Sequence, residues 1–145
     1  RKQASEVYNA AEGERDIPST IIRRAEAPAD PRALALGRAA ATAADDKKAE
    51  NTLLLDLRAL AMVFDYFVIC SAPSDRQLDA VASHVREVVR AEFSVSPRTV
   101  EGTADSGWIL VDYGDVVVHI MTPRLRAYYG LETLWAHAPV LLRLQ

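Results

Sequence analysis

The chain has 145 residues, half of them hydrophobic, with 17 basic and 20 acidic side chains and a formal charge of −3. One domain with a real core is the default at that length. A sequence pI near 5.6 excludes a protein held on nucleic acid mainly by its own positive field, so little direct nucleic-acid contact is expected. No run of about 18 apolar residues occurs, and no membrane-spanning helix is predicted.

Residues 1–30 mix charges with Ala, Ser and Pro, and Pro18 and Pro28 interrupt them. They read as an extension without a core of its own. Tyr8, Ile17, Ile21 and Ile22 are its anchors if it orders against a partner. A single domain over residues 31–145 is expected to follow.

Asp30 and Pro31 are the N-cap and first position of a helix. Ala-rich sequence carries it to about Glu50, with Leu34, Leu36, Ala40 and Ala44 as its buried side and Asn51 as the stop. Leu53–Leu57 and Asp65–Ser71 are near-continuously apolar, which predicts two interior strands. Cys70 lies in the second, where a buried reduced thiol is expected. A lone cysteine forms no internal disulfide and fits a reducing compartment.

Ser74, with Gln77 three residues later, is a capping box opening a helix to about Phe93. Leu78, Val81, Ala82, Val85, Val88 and Val89 recur at steps of three and four and make one apolar stripe. A short strand at Arg98–Glu101 and a turn-rich link at Gly102–Gly107 come next. Trp108–Tyr113 and Val116–Thr122 predict a hairpin, with Gly114 supplying the turn. Pro123 opens a last helix, expected to reach Trp135, followed by a short apolar tail. Strands and helices in this order predict an α/β fold, a mixed β-sheet flanked by helices.

Asp112 and Asp115 flank the hairpin tip. Two carboxylates there suit a divalent metal or an acid/base pair, but Asp is also an ordinary turn residue. The Gly-Ser phosphate-binding element that nucleotidyl transfer uses is missing, because Ser71-Ala72-Pro73-Ser74 precedes the long helix. His84, His119, His137 and Cys70 have no metal-ligand spacing. No catalytic residue, metal or cofactor is therefore expected.

From Thr99 to Pro123 there is no Lys or Arg, and Glu101, Asp105, Asp112 and Asp115 are the only charges. If the strands gather these four, the resulting acidic end suits a basic partner. On the last helix Tyr128, Leu131, Leu134 and Trp135 share helical spacing and are expected to face the core. Arg126, Tyr129 and Glu132 then point outward, a guanidinium, a phenol and a carboxylate on one exposed face.

The segments DYFVICSAPSDRQLDAVASHV, then EG, then WILVDYGDVVVHIMTPRLRAYYGLETLW resemble the iojap-like ribosomal silencing factors, over about residues 45–137. Ala72-Pro73 departs from the small residues usual after the second strand in that family. The resemblance implies a fold distantly like nucleotidyltransferases without their catalytic residues. It implies binding to the large ribosomal subunit, through its ribosomal protein fourteen, on the face that joins the small subunit, so that joining is blocked. Large-subunit assembly in an organelle is the alternative role, with further assembly factors recruited through residues 1–30. A degenerate nucleotidyltransferase using Asp112 and Asp115 is the remaining one. Bacterial cytoplasm, plastid and mitochondrial matrix all stay open, and the start at Arg1 fits a processed organellar protein as well as a bacterial one. Trp108, Tyr113, Asp115, His119, Arg126, Tyr129 and Glu132 are expected to form the partner-binding surface or its supports.

Overall fold

The structure is a computed structural model, and it describes residues 30–61 and 63–145. The expectations for residues 1–29 lie outside the described residues.

Helix α1 (Pro31–Asp46) starts as its sequence predicts, with the Asp30 carboxylate accepting from Arg32 N–H at 2.9 Å and proline in the first turn. It ends earlier than expected, because Lys47 caps it and Lys48 takes a positive φ of 63°. Asn51 is not a stop: it lies inside β1 (Glu50–Asp56), itself with positive φ, beside an irregularity in register. Strand β2 (Tyr66–Ser71) is buried along its whole length.

In α2 (Asp75–Phe93) the Ser74 hydroxyl accepts from Gln77 N–H at 3.2 Å. The Gln77 side chain does not reach back to its own N-cap. Its amide donates to the carbonyls of Lys47 and Lys48, tying the end of α1 to the start of α2. Leu78, Val81, Ala82, Val85 and Val89 are buried, as the stripe predicts.

Strand β3 (Thr99–Glu101) is followed by a 3-10 turn (Ala104–Ser106), β4 (Trp108–Asp112) and β5 (Val116–Met121). The last helix differs from expectation. Gly130, at φ +60°, breaks it into α3 (Pro123–Tyr129) and α4 (Leu131–Leu134). The apolar tail is a strand, β6 (Val140–Leu144), antiparallel to β1.

The sheet runs β3-β4-β5-β2-β1-β6. Only β2 and β5 pair in parallel, so the long α2 lies in the stretch of chain that a parallel pair needs. Alternation along each strand makes two cores. On one face α1 and α2 cover Leu54, Val68, Cys70, Ile109, Val111, Val118 and Ile120. Burial pushes the Cys70 thiol up to about 12, against the opposing influence of Arg126, so it stays protonated. The other face is built from Leu53, Leu55, Phe67, Ile69, Trp108, Leu110, Val117 and Met121. Leu57, Phe64, Leu131, Trp135 and Ala138 fold over it.

Candidate functional site

The register of β5 decides where His119 points. It sits opposite Leu110 on β4 and Ile69 on β2, on the face away from α1 and α2. It is completely buried. The Trp108 indole N–H donates to His119 Nδ1 at 3.2 Å, and the Phe67 ring stands 4.5 Å away, edge-on. Burial lowers the His119 pKa to about 3, so the ring is neutral. A neutral ring accepting at Nδ1 carries its proton on Nε2, and that atom has no hydrogen-bond partner among the described residues. Trp108 is also buried, at 4% exposure. Neither side chain reaches the surface. Both underlie it.

From Trp108 the rings continue outward. Tyr129, half-buried, stacks tilted on Trp108 at 4.8 Å, and Tyr128 meets Tyr129 edge-on at 5.1 Å. Tyr128 is 79% exposed. The sequence placed it in the core, which the structure corrects. Its spacing to Leu131 and Trp135 has meaning only along an unbroken helix, and Gly130 resets the helical phase between them. Leu131 and Trp135 are buried as expected, and Leu134 is partly buried.

Arg126 is the second correction. It was expected outward, yet it is only 8% exposed. Its Nε donates to Glu132 Oε1 at 2.7 Å and its Nη2 to Glu132 Oε2 at 3.2 Å. Nη1 reaches the Ser71 hydroxyl at 2.9 Å and the Glu50 carbonyl at 3.3 Å, and Nη2 reaches the Asn51 carbonyl at 2.7 Å. One planar guanidinium thus joins α3, α4, β1 and β2. It leaves no obvious donor for a partner. Glu132, with 40% of its side chain exposed, keeps part of its carboxylate at the surface, beside a depression of about 350 Å³ lined by Asn51, Ser71, Gly130 and Thr133.

Tyr113 and Asp115 stand apart from this group. They lie at the hairpin, the end of β5 opposite the one that leads into α3, about 17 Å along the strand by its rise per residue. Tyr113 packs against the α1–α2 core, and burial raises its phenol to about 12, opposed by the charge of Arg86. Asp115 is exposed. Asp112 is buried, and its carboxylate accepts from Gly114 N–H at 2.7 Å, a turn role rather than one half of an open carboxylate pair. The acidic end also dissolves. Glu101 and Asp112 are buried, while Asp105 and Asp115 sit at opposite ends of β4. Among the described residues no group of three or more His, Cys, Asp or Glu side chains is placed to hold a metal ion, and no helix is long and apolar enough to cross a membrane.

Fold and site together define a small mixed α/β protein whose distinctive surface is a ladder of rings rising from a buried histidine, and not a cleft. The chain belongs to the ribosomal silencing factor family: residues 30–144 match the family model described as "Ribosomal silencing factor during starvation". It is 44% identical over 101 residues to the Ribosomal silencing factor RsfS of Bacillus subtilis, covering 70% of this chain and 85% of that one. It is 37% identical over 114 residues to the chloroplastic Protein Iojap of Zea mays, covering 78% of this chain and 49% of that one. Among solved structures, a crystal structure of a Chromobacterium violaceum protein superposes with a TM-score of 0.67 at 34% identity, covering 71% of this chain and 85% of that one. The family is named for silencing ribosomes and not for an enzymatic activity.

Proposed function

We propose that this chain binds the large ribosomal subunit through its ribosomal protein fourteen and blocks small-subunit joining by its bulk, lowering translation in a bacterial cytoplasm or an organelle. The observation that carries the reading is Tyr128, a large aromatic side chain 79% exposed on a layer of fixed rings. Exposed aromatics with rigid support are the side chains that dominate protein interfaces. Tyr128, Tyr129 and Glu132 are the contacts in this reading. Trp108, His119 and Arg126 hold them in place, and Tyr113 and Asp115 offer a second point of contact at the hairpin. Steric blocking needs a stiff body, and nothing in it needs turnover, metal or cofactor.

The test is sedimentation with purified large subunits, with and without small subunits. Protein that travels with large subunits and lowers the joined fraction supports the reading. Protein that stays at the top of the gradient sinks it. Protein that binds large subunits but leaves joining unchanged points to subunit assembly instead.

A further inference from the structure

Arg86 and Arg90 lie one turn apart on α2, and both are exposed. With Ser83, Glu87, Val95, Ser96 and Pro97 they line an open groove of about 280 Å³. Arg90 Nη1 donates to the Ser96 hydroxyl at 3.2 Å. Arg98 leaves the same loop and lies over the hairpin, where a Cβ on Gly114 would come within 3.2 Å of its Nη1. Arg86 acts electrostatically on Tyr113, the residue next to Gly114. Arg86 and Arg90 therefore line the groove, and Arg98 extends the basic surface from the end of its loop to the hairpin. None of them forms an ion pair with a carboxylate among the described residues. The one carboxylate lining the groove, Glu87, lies 4.0 Å from His84 Nδ1.

Like charges four residues apart on a helix repel each other. A chain with net charge −3 nevertheless keeps such a pair, with a third arginine close by. A bound anion would relieve that repulsion. The groove has no aromatic side chain and only Val95 and Pro97 as apolar lining, so it lacks the apolar centre of a protein interface. Hydroxyls beside guanidiniums are the groups that contact phosphates.

We infer that the groove between α2 and the Val95–Arg98 loop binds the phosphate backbone of RNA through Arg86, Arg90 and Arg98. Helix α2 covers the face of the sheet opposite the ring ladder. The RNA contact thus lies away from the ring ladder, and it adjoins the second protein contact only at the hairpin, through Arg98.

The experiment is fluorescence anisotropy of the full chain with a fluorescein-labelled RNA duplex across a salt series, with competition by inorganic phosphate and by poly-glutamate. Three phosphate contacts give a log–log salt slope of about −2.7, or a roughly 40-fold loss of affinity between 50 and 200 mM salt. Replacing all three arginines by alanine should abolish that binding with the melting temperature held. Replacing them by lysine should keep most of it, and Arg76→Ala, outside the groove, should change neither affinity nor slope. If the triple alanine variant fails to fold, Arg90→Glu alone should weaken binding and flatten the slope. Absence of binding at 50 mM salt, or a triple variant that binds like wild type, overturns the inference. Displacement of the RNA by inorganic phosphate at equal charge would instead mark a site for free anions. Displacement by poly-glutamate would mark a site for an acidic protein.

Discussion

The two faces of the sheet are built on different terms. The face under α1 and α2 is closed by aliphatic side chains from helices of 16 and 19 residues. The face under α3 and α4 is closed by helices of seven and four residues. These are too short to hold themselves. Rings and one buried guanidinium supply what the short helices lack. Aliphatic packing gives a stable scaffold with little directionality. Rings and hydrogen-bonded charge fix orientation, and orientation is what a docking surface needs. The face that looks less economical is the one fitted for recognition.

Mutations can break that contrast in a graded way. The largest effect is expected from Phe67→Ala, which removes a fully buried ring in contact with Phe64, His119 and Trp135. It should cost about 3–5 kcal/mol in a denaturant titration. Loss below about 1 kcal/mol would mean that the ring-lined face contributes little to folding.

Arg126→Met comes next. It removes the donors that hold Glu132, Ser71 and two β1 carbonyls. A loss of about 2–3 kcal/mol is expected, held down because Glu132 is partly solvated. Adding Glu132→Leu should recover part of it, since the pair and not either charge is the unit. A double-mutant cycle reads this, and strict additivity would argue that Arg126 is not a clamp.

The buried imidazole gives a pH signature. His119 binds its proton near pH 3 in the folded chain and near 6.5 in a free side chain. Between those values the unfolded state holds more protons, so stability is intact above about pH 6.5 and falls as pH drops. The slope from this group is at most about 1.4 kcal/mol per pH unit. It is cleanest above about pH 5, before most carboxylates titrate. His119→Gln, which keeps an acceptor for the Trp108 indole, should flatten the profile there. Parallel profiles for variant and wild type would show that the folded ring titrates normally.

Much of the helix-covered face was legible in the sequence, because burial there follows strict periods. The α2 stripe, the Asp30-Pro31 start and the near-continuously apolar β2 each satisfy a local rule. The other face resisted reading at the points where distant segments decide. Arg126 is buried because carbonyls of Glu50 and Asn51, far back in the chain, meet its guanidinium, and no spacing near residue 126 encodes them. The exposure of Tyr128 was encoded, but in Gly130, whose left-handed geometry ends one helix before the next begins. Strand β6 was missed because five residues of edge strand look like any apolar tail until β1 supplies a partner. His119 was placed on the right strand. Which side of the sheet it faces required the register with β2 and β4.

The central claim is that the ring ladder is a recognition surface standing on a rigid base. Tyr128→Ala tests it most directly, because the side chain is almost outside the fold. The melting temperature and the Kd for purified large ribosomal subunits would be measured on the same preparation. The account predicts stability within about 0.5 kcal/mol of wild type, together with an affinity loss of at least about 30-fold, the size of an interface hot spot. Unchanged affinity with unchanged stability would contradict it and move the contact surface away from this face.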